Sequence, residues 1–260
     1  MDSLDSASAV RYDGWAADDL SRALGVPRLE LFGQVGSTLD VAHAAAERGA
    51  PAGTLVLADS QTAGRGRAGR RWTSASGAGI WLTLIERPDD PQALEVLSLR
   101  LGLYAARGLD RFAEAPVTLK WPNDLYVAGR KLAGILVEVR WRSERAEWAA
   151  VGFGLNVTAP PDVSAAALRA GTSRVAVLRE LVPALRAAAL TRGALSPGEL
   201  ASYEERDLAR GRTCAQPARG RVQGISARGE LLVATPGGTV PVRGGSLVLD
   251  HAPLDREGES

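Results

Sequence analysis

The chain has 260 residues, 31 basic against 30 acidic, a formal net charge of +1 and 45% hydrophobic residues. That length suits one large domain or a large one with a small companion, and the apolar share supports a core. The balanced charge gives no overall basic field for nucleic acid or membrane surfaces. The single cysteine, Cys214, excludes an intramolecular disulfide and an all-cysteine metal cluster, and two distant histidines, His43 and His251, speak against a multi-histidine zinc enzyme. The amino terminus is polar, with no apolar signal core, and no run of 18 apolar residues occurs. A soluble cytoplasmic protein without membrane association is expected.

Residues 1–12 read as frayed. Residues 15–24 suit a short helix with Asp13 as its cap, and 29–35 a strand. Ser37 opens a helix to about Arg48, which Gly49 stops. A buried strand at 54–59 leads into Gly64-Arg65-Gly66-Arg67-Ala68-Gly69-Arg70-Arg71-Trp72. Ile80, Leu82 and Leu84 alternate along a further strand, and apolar residues recur at helical spacing from Pro91 to about Phe112. Residues 117–120 form a short strand and 121–124 a turn. Residues 131–141 form a strand with Ile135, Val137, Val139 and Trp141 on one face. A hairpin turn at 142–145 and a partner strand at 146–157 follow. Residues 164–209 are mainly helical, interrupted near Gly171 and at 193–197. From about 212 to 250 short apolar runs alternate with glycines, which is small-barrel punctuation. The predicted organisation is an N-terminal extension (1–28), a catalytic domain (29–210), a small β-barrel (211–252) and a loose tail (253–260).

The loop at 64–72 carries four arginines, and no acid lies between Asp59 and Glu86. Glycine spacers let backbone approach a ligand closely, and each guanidinium is a planar fork suited to phosphate or carboxylate. Gly64, Gly66 and Gly69 match a dinucleotide fingerprint in form, but no helix follows and no acid stands at the ribose position, so that reading is rejected. A phosphate loop ending in Gly-Lys-Ser/Thr is absent. Each element also has a plainer reading. The arginine-glycine tract could be a solvated segment or an RNA-binding module, Lys131 could extend to solvent, and Asn123-Asp124 could be only a turn. Taken together they point to a site for an anionic small molecule.

Four blocks resemble the signatures of biotin protein ligases: Gln61 to Trp72, Lys120-Trp121-Pro122-Asn123-Asp124-Leu125, Gly129-Arg130-Lys131-Leu132-Ala133-Gly134-Ile135-Leu136-Val137-Glu138, and Gly152-Phe153-Gly154-Leu155-Asn156-Val157. Their order and spacing agree with that family over residues 29–250. The resemblance implies an α+β fold. It would have a mixed central β-sheet flanked by helices, like class II aminoacyl-tRNA synthetases, and a small C-terminal SH3-like β-barrel. It implies ATP-dependent activation of biotin to biotinyl-5'-AMP and transfer to a lysine of a biotin carboxyl carrier domain of acetyl-CoA carboxylase or a related carboxylase. ATP and Mg2+ would be needed, and no redox cofactor.

By the same resemblance, Lys131 and Arg67 are catalytic. Ser37, Thr38, Gln61, Arg65, Gly66, Arg67, Lys131 and Gly134 bind biotin. Arg67, Arg70, Trp72, Asn123, Lys131 and Asn156 bind ATP, and Asp124 serves magnesium. The family usually has asparagine after Ser-Thr, where this chain has Leu39, so one hydrogen bond to biotin is lost or comes from elsewhere. About 30 residues precede the first catalytic strand, too few for a helix-turn-helix reader, so no specific DNA binding is expected. Homodimerisation stays open. The alternatives are a lipoate or octanoate ligase of the same fold, which lacks this arginine loop, and a biotin-responsive regulator.

Overall fold

The computed structural model describes residues 10–160 and 164–250. Most of the frayed segment expected at 1–12, and the tail after 250, lie outside the described residues. In chain order the elements are α1 (Ala17–Leu24), β1 (Arg28–Val35), α2 (Thr38–Glu47), β2 (Thr54–Gln61), β3 (Gly79–Glu86), α3 (Pro91–Leu109), β4 (Thr118–Lys120), β5 (Asp124–Val127), β6 (Arg130–Arg142), β7 (Arg145–Asn156), α4 (Arg174–Leu190), α5 (Pro197–Arg206), and the short strands β8 (Thr213–Gln216), β9 (Gly220–Ile225), β10 (Leu231–Thr235), β11 (Gly238–Val242) and β12 (Val248–Leu249).

Strands β1 to β7 form one mixed sheet in the order β1-β2-β3-β7-β6-β5-β4, with β1 and β2 parallel and every other pair antiparallel. Side-chain alternation divides its two faces. Leu55, Leu57, Ile80, Leu82 and Leu84 join the main core with apolar residues of α1, α3 and α4. Val56, Ile85 and Trp148 face the other way and pack under Ala42, Ala45 and Ala46 of α2. Helix α2 covers only part of this second face, and the remainder is the floor of a cavity. No helix among the described residues is long and apolar enough to cross a membrane.

Helix starts follow local chemistry. Asp90 caps α3 through its carboxylate, with Pro91 in the first turn, and Ser196 and Glu199 close a capping box on α5. Buried Arg100 in α3 donates to Glu199 at 2.6 Å and to the carbonyls of Thr191, Gly193 and Ala194. One guanidinium thus ties α3 to α5 and to the segment leading into α5.

The structure corrects several expectations. Asp13 does not cap α1, whose flanking Ala16 has no side-chain cap; it pairs instead with Arg174 of α4. The expected turn is present at 121–123, but residue 124 already opens a strand not expected from the sequence, β5, in which Leu125 and Val127 are buried and Asp124 and Tyr126 half-buried. Trp141 does not continue the apolar face of β6: the pairing register shifts between Arg140 and Trp141, and the indole is 50% exposed. The small C-terminal barrel is an open five-stranded antiparallel sheet, in the order β11-β10-β9-β8-β12; its outer strands are not paired with each other among the described residues.

Candidate active site

The uncovered part of the second face holds a cavity of about 280 Å³, walled by the start of α2, the arginine loop and strands β5, β6 and β7. Its floor is set by glycine. Gly134 of β6 and Gly154 of β7 are cross-strand partners. A methyl group on Gly154 would meet the Trp72 ring at 2.7 Å, and one on Gly134 would meet it at 3.0 Å. Only a side-chain-free pair lets the indole lie this close to the sheet. Beside it, Leu39 rests on Gly152, where a methyl would come within 3.1 Å.

One end of the cavity is uncharged. The Thr38 backbone N–H donates to Gln61 Oε1 at 2.8 Å, and its hydroxyl donates to the same oxygen at 3.1 Å. Gln61 Nε2 donates to Ser74 Oγ at 2.8 Å, and Thr83 donates to Thr38 Oγ1 at 2.9 Å. This chain fixes the amide orientation of Gln61. Ser37 is 2% exposed, yet its hydroxyl has no hydrogen-bond partner among the described residues, and neither does the buried Trp72 Nε1. Unpaired buried polar atoms are costly and rare, so a cavity lined by residues carrying two of them suits a ligand with polar groups.

The other end is cationic. The arginine loop forms a narrow excursion: Gly66 N–H donates to Arg70 O at 2.7 Å and Trp72 N–H to Gly64 O at 2.9 Å, with a single 3-10 turn at Arg67–Gly69. Arg67 Nη1 donates to Asn123 Oδ1 at 3.0 Å, and Asn123 Nδ2 donates to Ile135 O at 2.7 Å. Burial holds Arg67 below the usual arginine range; Asp124 opposes this and Arg70 adds to it. Lys131 Nζ lies 2.7 Å from Asp124 Oδ1 and 5.2 Å from the centre of the Trp72 ring. Asn156 lines the cavity at 6% exposure and donates to Ala166 O at 3.2 Å.

All thirteen residues assigned from the sequence border this cavity. Arg65 is nonetheless engaged elsewhere, donating to Glu138 at 2.8 Å and pairing with Asp40 at 3.1 Å. Glu138 also meets His43 Nε2 at 2.9 Å, and His43 Nδ1 accepts from Trp148.

Sequence reasoning missed three contributors. Thr83 and Ser74 orient Thr38 and Gln61. Gly152 and Gly154 give room to Leu39 and Trp72, and their spacing of two on a strand was the available signal. The stretch between β11 and β12 reaches the arginine loop, with Arg67 donating to Gly245 O at 3.4 Å and Arg70 to Ser246 at 3.5 Å; nothing in the sequence marks that contact.

Residues 35–156 match the model of the Biotin/lipoate A/B protein ligase family, and residues 210–249 that of the Biotin protein ligase C terminal domain. The Biotin--[acetyl-CoA-carboxylase] ligase of Mycobacterium tuberculosis is 34% identical over 243 residues, covering 86% of this chain and 90% of that protein. The chain belongs to the biotin protein ligase family. The Bifunctional ligase/repressor BirA of Bacillus subtilis is 42% identical over 127 residues, 48% of this chain. That match spans only 39% of the Bacillus protein, and the Escherichia coli one 33% of its BirA. Among solved structures, the biotin protein ligase from Aquifex aeolicus in complex with biotin and ATP aligns with a TM-score of 0.68 at 26% identity, covering 87% of this chain and all of that one.

Proposed function

We propose that the chain is an ATP-dependent biotin protein ligase that forms biotinyl-5'-AMP and passes biotin to a lysine of a biotin carboxyl carrier domain. The observation that carries this reading is that one cavity has both an uncharged, hydrogen-bonding end and a cationic end. Biotin has the same division: a neutral cyclic urea on a thioether ring at one end and a carboxylate at the other. Similarity to the Aquifex ligase described with biotin and ATP supports it.

In the first step a biotin carboxylate oxygen attacks the α-phosphorus of ATP, the bond from that phosphorus to the bridging oxygen breaks, and pyrophosphate leaves. Two anions must meet, and charge grows on phosphate oxygens. Lys131, beside the cavity floor, and Arg67, held by Asn123, neutralise both; fixed donors of this kind are commonly the largest catalytic contribution. In the second step a carrier lysine amine attacks the acyl carbon, AMP departs and the amine loses a proton. The arginine loop shields the mixed anhydride from water.

Magnesium would arrive with the nucleotide. Among the described residues there is no group of three acidic, histidine or cysteine side chains placed to hold a metal. One carboxylate, Asp124, lines the cavity, which fits an ion carried mainly by phosphate oxygens and held by one or two carboxylates. When bound, the ion would supply further neutralisation of phosphate charge.

The test is ATP–pyrophosphate exchange: exchange that requires biotin and is not supported by lipoate or octanoate is the expected result. Equal exchange with lipoate would favour the other activity of this fold. A second expectation concerns Ser37. Removing its unpaired hydroxyl in Ser37→Ala leaves the thermal midpoint unchanged or higher, because that buried group has no partner to lose. Biotin affinity falls by about 10-fold, the scale of one hydrogen bond. Calorimetry showing undiminished biotin binding would remove Ser37 from the biotin end.

A further inference from the structure

A chain of hydrogen bonds that begins outside the cavity ends on its arginine loop. Glu138 follows Gly134 and Leu136 along one face of β6, and Ala150 of β7 is its cross-strand partner. Trp148 stands on the same face, opposite Arg140 and diagonal to Glu138. Helix α2 brings His43 to both: Trp148 Nε1 donates to His43 Nδ1 at 3.0 Å, and His43 Nε2 lies 2.9 Å from Glu138 Oε2. An indole N–H can only donate, so Nδ1 accepts and Nε2 carries the proton that goes to the carboxylate. The same Glu138 oxygen accepts from Arg65 Nη2 at 2.8 Å, and Asp40, also on α2, meets that nitrogen at 3.1 Å.

These bonds run from the core outward. Trp148 is buried, His43 and Glu138 are half-buried and Arg65 is exposed. Neither His43 nor Glu138 borders the cavity, whereas Arg65 does. Arg65 also pairs with Arg71 in an isolated bridge across the base of the arginine loop. Holding its side chain therefore holds both limbs of the excursion, and with them Arg67 at Asn123. A long exposed side chain loses rotamer freedom when it pairs, which leaves most isolated surface ion pairs worth little. Here the accepting carboxylate is already oriented by a donor anchored in the core, and a second carboxylate takes the same guanidinium nitrogen.

We propose that Trp148, His43 and Glu138 form a positioning relay for the arginine loop, with Arg65 as the loop's latch and Glu138 as the group that receives it. Arg65 then serves the cavity by fixing its wall, not by touching a ligand with its guanidinium. The relay also ties the loop to the uncharged end, because α2 carries Thr38 and Leu39 there and Asp40 and His43 at the latch. The latch stands on this geometry alone; its consequence for the reaction rests on the ligase reading above. With the loop unfastened, the mixed anhydride is less well shielded and biotinyl-5'-AMP escapes sooner.

The experiment compares Glu138→Ala, His43→Leu, His43→Gln and Trp148→Phe with wild type, first without ligand. Limited tryptic cleavage between Arg65 and Arg71 is timed by mass spectrometry, and cleavage elsewhere in the same digest reports global unfolding. Glu138→Ala is expected to speed loop cleavage about 3- to 10-fold, the scale of one partly exposed charge pair within a network, with the rest of the chain unchanged. His43→Leu and Trp148→Phe act in the same direction to a smaller extent. His43→Gln, whose amide N–H replaces that of Nε2, restores most of the protection. Unchanged loop cleavage in Glu138→Ala, or acceleration spread over the whole chain, would overturn the latch. Nitrogen-15 spectra of the histidines read the relay itself: His43 protonated at Nε2 alone is expected, with that preference weakened in Trp148→Phe, and a proton on Nδ1 in the wild type would contradict it. With biotin and ATP present, release of biotinyl-5'-AMP from Glu138→Ala rises by a similar factor. Faster loop cleavage with unchanged release would uphold the latch and refute the shielding step of the ligase reading.

Discussion

Lys131→Ala lowers the rate of adenylate formation by about 100- to 1,000-fold, the usual cost of losing one fixed donor to developing charge. The fold survives, because the side chain is 33% exposed and its ion pair with Asp124 is partly solvated, which limits the stability loss to roughly 1 kcal/mol or less. Biotin's ring end lies against Ser37, Thr38 and Gln61 in this account, so biotin affinity changes far less than the rate. Lys131→Arg retains a cation but cannot reproduce its placement between Asp124 and the Trp72 ring, and recovers activity in part. Single-turnover release of pyrophosphate is the measurement. A variant that releases it at the wild-type rate would show that Lys131 takes no part in the first step.

The largest effect on stability is expected at Arg100, far from the chemistry. Arg100→Ala removes a fully buried guanidinium and leaves Glu199, whose side chain is 9% exposed, without its partner. Three carbonyl acceptors lose their donor in the same change. Breaking a buried pair from one side costs about 3–5 kcal/mol, which corresponds to roughly 6–20 °C in melting temperature for a chain of this size. Burial pushes the Glu199 carboxyl up, but the hydrogen bonds from Arg100 and Ser196 outweigh it, and the group sits below the usual glutamate range. A carboxyl depressed in the folded state contributes stability above its unfolded pKa and loses it as pH falls through the folded value. The wild-type protein therefore loses this contribution on acidification, whereas Arg100→Ala shows a flatter acid limb. Thermal unfolding at pH 7 and at pH 4 reads both effects, and a variant melting within 2 °C of wild type would contradict the assigned role.

Much of this architecture was legible because its signals are local. Strands β2 and β3 are largely apolar runs buried almost throughout, α3 opens on a proline behind an aspartate, and the arginine loop is conspicuous for its charge and glycine. Lys131 and Asn123 stood out because their motifs are contiguous. What was hidden depends on distant pairing. Glu138 meets Arg65, 73 residues earlier in the chain, and His43, 95 residues earlier. The approach of Gly245 and Ser246 to the arginine loop spans more than 170 residues. Strand β5 was missed because its alternation, buried Leu125 and Val127 against half-buried Asp124 and Tyr126, covers only four residues between two turns. The partnership of Lys131 with Asp124 depends on a register shift between Leu125 and Tyr126, which moves Lys131 opposite Tyr126 and which no propensity encodes. Arg100 was the one long-range feature with a local trace, a charge among Val96, Leu97, Leu99, Leu101 and Leu103 on a helix too apolar to leave it in water.

The central claim is that the cationic end of the cavity joins a biotin carboxylate to the α-phosphorus of ATP. Biotin labelled with oxygen-18 in both carboxylate positions, turned over with ATP and a carrier domain, tests it directly by mass spectrometry of the products. One labelled oxygen in AMP and none in pyrophosphate is the result this account requires, and label in pyrophosphate or inorganic phosphate, with AMP unlabelled, would contradict it.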